Sequence, residues 1–248
     1  MTKRGLLTGT ALAMSLPALC HLAPAATWLP GIRRWAPSLA GRGDPGKVAI
    51  TFDDGPSPES TPAFLTELAA SNVHATFFMV GEHLARHREV GRAVARAGHE
   101  IAVHGWCHRY LLGRTRRAVR DDLARAADLV TQVAGTPPTW FRPPYGVLTT
   151  DALLAATQLG LRPILWTLWA RDWITGATPE TILATLEPGL RGGVTVLLHD
   201  AAPPGSPCDR SATLGALPHL IRRIRAQGLS PGPLRDHRIH DHTLRRTP

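Results

Sequence analysis

The chain has 248 residues, 44% apolar and 19% charged, which is enough for one buried core and excludes a disordered chain. Its formal charge of +9, from 28 Lys and Arg against 19 Asp and Glu, favours anionic partners such as wall polymers or lipid head groups. The cations are scattered, and Arg114, Arg116, Arg117 and Arg120 have the spacing of a solvated helix face; with no basic stripe of interleaved aromatics, nucleic acid is excluded as a partner.

Lys3 and Arg4 precede an uncharged run, Gly5 to Cys20, and Ala23-Pro24-Ala25 offers an A-x-A cleavage site. Residues 1–26 are therefore expected to be a targeting segment, and the protein to be extracytoplasmic, secreted or membrane-tethered. The alternative is an N-terminal helix packed on the domain. Pro17 interrupts the run, which is short for a stable membrane span, and bulky Leu19 argues against a lipid anchor on Cys20. Cys107 and Cys208 can pair but make no disulfide framework. Residues 27–46, rich in Pro and Gly, read as a linker, 47–235 as the catalytic domain and 236–248 as a basic tail.

Within the domain, short apolar runs alternate with helical patterns. Strands are expected at 47–52, 75–80, 101–103, 140–141, 163–168 and 194–198. Helices are expected at 61–70, 82–97, 116–133, 150–159, 179–186 and through 217–226, with Thr178-Pro179 as an N-cap and first-turn pair. Apolar strands alternating with helices imply a parallel sheet, and this many units imply a closed or nearly closed barrel. Chemistry then belongs at the C-terminal ends of the strands.

Polar residues gather there. The first strand runs into Asp53-Asp54-Gly55-Pro56, where one carboxylate can bind a metal while the other acts as a base; alone, the segment is better read as a turn with a capping Asp. The third runs into His104-Gly105-Trp106-Cys107-His108, whose two histidines, four apart, would share a helical face. With an Asp from another strand they make a two-His, one-carboxylate metal site with room for water. Arg142-Pro143-Pro144-Tyr145-Gly146 is a loop stiffened by paired prolines. Arg171-Asp172-Trp173 and His199-Asp200 follow later strands, and Asp172 can orient His199 for acid–base work.

These segments, T-F-D-D-G-P, H-G-W-C-H, R-P-P-Y-G, R-D-W and L-L-H, resemble in order and spacing the five motifs of the polysaccharide deacetylase (NodB-homology) family, also called carbohydrate esterase family four. The similarity spans about residues 47–230. It implies an α/β fold, a distorted (β/α)7 barrel, and a divalent metal, zinc or alternatively cobalt, held by Asp54, His104 and His108. It further implies Asp53 as general base paired with Arg142, His199 as general acid supported by Asp172, and the Tyr145 backbone N–H as oxyanion donor. Pro144, Trp173 and Leu197 would help to bind the substrate. Two positions depart from the family pattern: Gly105 replaces a hydroxyl residue, and Trp169 replaces an Asp.

The expected activity is metal-dependent removal of N-acetyl, or alternatively O-acetyl, groups from an amino-sugar polymer such as peptidoglycan or a chitin-like glycan, by a monomer. The competing readings are a catalytically inactive carbohydrate-binding protein on the same barrel and a hydrolase of small amides.

Overall fold

The computed structural model describes residues 21–202 and 209–239. Most of the expected targeting segment, residues 1–20, lies outside them, as do Cys20, Cys208 and residues 240–248.

Strand β1 (Lys47–Asp53) is the centre of the molecule, buried on both faces by its run of Val48, Ala49, Ile50 and Phe52. Helix α1 (Thr61–Ala70) leads to β2 (Thr76–Met79), and Phe52, Phe64 and Phe77 meet with ring centroids 5.2 and 5.0 Å apart. The helix expected over 82–97 is two, α2 (Gly81–Arg86) and α3 (Arg88–Arg96), separated at His87 (φ −125°, ψ 48°). Gly91 has no side chain to keep α3 from folding back on Leu84. Strand β3 (Glu100–Val103), helix α4 (Arg116–Ala134), strand β4 (Trp140–Phe141) and helix α5 (Thr150–Gln158) follow as the periodicity predicts.

The single strand expected over 163–168 is divided into β5 (Arg162–Pro163) and β6 (Leu168–Trp169). Helix α6 (Pro179–Leu186), strand β7 (Thr195–His199), helix α7 (Ser211–Ala226) and an unanticipated β8 (Ser230–Gly232) complete the chain. All paired strands are parallel, in the order β5-β4-β3-β2-β1-β7-β6, with β8 beside the start of β1. Thus β5 and β6 are the two edges of the sheet, and Ile164–Thr167 crosses from one to the other.

The sheet does not close by a ladder across that seam. Leu165 N–H instead donates to Leu39 O (2.7 Å), Thr195 Oγ1 to Gly41 O (2.6 Å) and Gly43 N–H to Gly193 O (3.1 Å). The segment expected to be a linker is therefore part of the barrel wall, because the backbone groups of a buried sheet edge need partners. The tail likewise begins inside the fold: His237 and Ile239 are buried, and His237 O accepts from Asp44 N–H (2.7 Å). Among the described residues, no helix is long and apolar enough to cross a membrane.

Candidate active site

Parallel pairing puts Asp53 at the end of β1 directly beside His199 at the end of β7. His104 follows β3, Arg142 follows β4, and Asp172 lies just beyond β6, so five sequence-predicted residues meet at the C-terminal end of the sheet. A cleft of about 350 Å3 opens there, lined by Asp53, Asp54, His104, His108, Tyr145, Trp173, Leu197 and His199 among others. Of the expected residues, Arg142 and Asp172 are buried behind this wall, and Pro144 is buried without lining it.

Asp54 leaves the strand in the left-handed region (φ 76°). Asp54 Oδ1 is buried and accepts no hydrogen bond, yet lies 3.5 Å from His104 Nε2 and 3.2 Å from His108 Nε2. An orphaned carboxylate oxygen between two imidazole nitrogens is a costly arrangement unless a cation joins them. Ligands about 2.1 Å from a tetrahedral ion lie about 3.4 Å apart, so the three residues fit a metal such as zinc. Nδ1 of His104 faces Arg142 O at 2.8 Å. A carbonyl only accepts, so Nδ1 carries the proton and Nε2 is left for the metal.

The charge states agree with that fit. Burial opposes ionisation of Asp54, but the histidines around it win and hold its carboxyl well below the usual range. Burial and the neighbouring His104 push the His108 imidazole down to about 4, keeping it neutral. Burial also disfavours charge on His104, yet the Asp53 and Asp54 carboxylates outweigh it and raise its pKa; the pair of carboxylates holds a positive charge here, be it a proton or a metal.

The helical face expected for His104 and His108 is not what unites them. Residues 104–108 form an irregular loop, entered through Gly105 in the left-handed region (φ 78°). A Cβ at Gly105 would stand 3.2 Å from Asp122 Oδ2, an oxygen that also accepts from Trp106 N–H (2.6 Å), while Asp122 Oδ1 pairs with Arg114 (2.8 Å). Glycine is the residue this path accommodates, and Asp122 does the bracing. Cys107 points away as a free thiol, donating to Glu82 Oε1 at 3.0 Å.

Arg142 is fully buried, donating to Asp53 Oδ1 (2.6 Å), Thr51 Oγ1 (2.9 Å) and Leu165 O (2.9 Å). Asp53 Oδ2 is left facing the metal site, 3.7 Å from His104 Nε2. Asp172 takes the Nδ1 of His199 on one oxygen (2.8 Å) and the His199 backbone N–H and Thr213 hydroxyl on the other (2.8 and 2.9 Å). Burial works against a charged imidazole, but Asp172 dominates and pushes His199 up to about 9.

The rest of the cleft was not foreseen. Trp28, Tyr110, Trp166, Trp169 and Arg210 also line it. Tyr110 stacks on Tyr145 (3.9 Å, 15°), which packs on His108 (4.5 Å); Trp169 stacks on Trp173 (4.6 Å, 24°). Exposed tryptophans and tyrosines beside a polar pocket were visible only as composition. Asp200, noted in sequence without a role, is buried under Gly55 with Thr61 Oγ1 donating to it at 2.5 Å, and burial pushes its carboxyl up to about 7.

A family model described as polysaccharide deacetylase matches residues 40–164. A chitooligosaccharide deacetylase of Bradyrhizobium sp. (strain ANU 289) is 34% identical over 194 residues, covering 75% of this chain and 88% of that protein. The solved Bc1960 peptidoglycan N-acetylglucosamine deacetylase superposes with a TM-score of 0.76 at 27% identity, over 84% of this chain and 96% of its own. BA3943 of Bacillus anthracis, a pseudoenzyme, shares the fold at a TM-score of 0.72 and 24% identity, over 79% and 67% of the two chains.

Proposed function

This chain belongs to the polysaccharide deacetylase family, and from that premise we propose that it is a metal-dependent hydrolase that removes N-acetyl groups from an amino-sugar polymer. The observation that carries the reading is the convergence of Asp53, Asp54, His104, His108 and His199 on one cleft, with Asp54 Oδ1 lacking any hydrogen-bond partner.

Asp54, His104 and His108 would hold the metal, zinc or cobalt by the donor set; when bound, it supplies Lewis acidity towards water and the acetamide carbonyl. Asp53 is the base. Arg142 occupies Oδ1, so Oδ2 receives the proton of the attacking water. The backbone N–H of Tyr145 donates to the carbonyl oxygen as it gains charge. His199, its Nδ1 fixed by Asp172, offers Nε2 to the leaving nitrogen and gives it a proton. Leu197 and Trp173 form a small apolar enclosure suited to the acetyl methyl. An extracellular polymer as substrate also suits the expected export of the chain.

The pseudoenzyme likeness keeps the inactive-binder reading in view, since the fold alone does not secure activity. This chain retains a base, an acid and three metal donors, which favours the enzyme. Acetate release from N-acetylated glycans and from O-acetylated xylan, with and without chelator, tests the proposal. Release from the N-acetylated glycans that chelation abolishes is expected; binding without release, or release unaffected by metal removal, would overturn it.

A further inference from the structure

Beside the cleft lies a second cavity of about 580 Å3. Trp28, Trp166 and Trp169 line both spaces, so the cavity adjoins the cleft across that aromatic wall. Four arginines line the cavity, Arg33, Arg34, Arg42 and Arg171, and no acidic residue does.

Arg33 is committed to structure. It is buried, donates to the carbonyls of Thr27, Trp28 and Trp166 at 2.8–3.0 Å, and lies 4.7 Å from the Trp166 ring centroid, so it pins Trp28 to the wall. The other three are exposed. Among the described residues none of them has an ion pair. Arg34 lies over the Trp35 ring (5.4 Å) and Arg171 over that of Trp169 (5.5 Å). Arg171 keeps this place in the left-handed region (φ 54°), a conformation unfavourable for a side chain of its size. Guanidinium forks match oxyanions in geometry, and three of them line this one cavity. Their spread over separate segments suits carboxylates repeated along an extended chain better than one compact phosphate.

We propose that this cavity binds a sugar-borne carboxylate of the polymer, so that the protein acts on acidic N-acetylated glycans in preference to neutral ones. The inference deepens the proposed function and rests on it for the choice of ligand.

The probe is a tetrasaccharide of alternating N-acetylglucosamine and uronic acid, with its carboxylates free or converted to neutral methyl amides. Binding to the metal-loaded protein is measured by calorimetry, and acetate release separately. The free acid should bind about 10-fold tighter than the amide at low salt, the advantage shrinking as salt is added. In the triple variant Arg34→Gln, Arg42→Gln, Arg171→Gln that ratio should approach one, while binding and turnover of the amide stay within about twofold. Arg42→Glu alone should weaken only the free acid, and melting temperatures verify folding. Equal binding of the two forms to the unaltered protein, or a preference that survives the triple variant, overturns the inference. Absence of acetate release from either form with binding intact would instead count against the enzymatic reading and leave the cavity's charge preference decided by calorimetry.

Discussion

Asp53 and Asp54 are neighbours in sequence with different tasks, and substitution should separate them. Asp53→Asn keeps the shape and the Arg142 contact but cannot take a proton, so turnover should fall by roughly 10²–10⁴ with metal content unchanged. Asp54→Ala should lose the metal itself, read by metal analysis of the purified protein. An Asp53→Asn protein that folds normally and turns over at full rate would remove Asp53 from the mechanism. His199 supplies a pH test. Its folded pKa is raised to about 9 by Asp172 against the opposing burial, so the acid form persists through neutrality. Through His199, activity should fall on the alkaline side as pH rises through about 9, and Asp172→Asn should move that limb downwards. The same shift stabilises the fold fully below about pH 6.5, and the contribution is lost as pH rises through about 9. Urea melts of both proteins across that range check the sign: the wild type should lose its advantage over Asp172→Asn as pH rises. These residues were legible in sequence because each sits in a short motif at a strand end. Their partners in space were not: Asp122 braces the histidine loop from sixteen residues beyond Trp106, and Trp28 reaches the cleft from the far side of the chain.

The elements differ in how much local sequence decides them. Helices α1 and α6 begin and end where periodicity places them, and at α6 Thr178 forms a capping box with Thr181. Thr178→Ala should therefore cost about 1 kcal/mol of stability and leave turnover untouched, since no residue of α6 lines the catalytic cleft. A loss of activity per folded molecule would show that α6 acts on the cleft. Strands β5 and β6 mark where local reading stops. Nothing in the run from Pro163 to Leu168 reveals that it crosses between the two edges of the sheet, because the partners that make it do so are Leu39 and Thr195. The same seam turns the Pro- and Gly-rich stretch before β1 into wall rather than linker. His87 breaks a helical pattern without Gly or Pro, a case where packing of Gly91 on Leu84 overrides propensity.

At the scale of the whole molecule, the barrel collects an unusual concentration of buried charge at one end. Asp53, Asp54, His104 and Asp200 are all buried there, with Arg142 beneath and His199 beside them. Buried groups of this kind are destabilising unless paired, and Asp54 Oδ1 has no partner of its own. The two carboxylates Asp53 and Asp54 already raise the neighbouring His104, so positive charge is favoured at this spot. A metal that binds the assembled site and not the unfolded chain stabilises the protein by RT ln(1 + [M]/Kd), about 4 kcal/mol at a thousandfold excess over Kd. For a domain of this size that is a rise in melting temperature of roughly 8–16 °C. Zinc or cobalt added to chelator-treated protein should produce such a rise and restore acetate release together. Asp54→Ala should show neither, whereas Asp53→Asn should show the thermal rise without the activity. The two readouts part ways only if binding and chemistry rest on different carboxylates. If zinc raised the melting temperature of wild type and Asp54→Ala equally, the metal would be binding elsewhere, and the assignment of Asp54, His104 and His108 would fall.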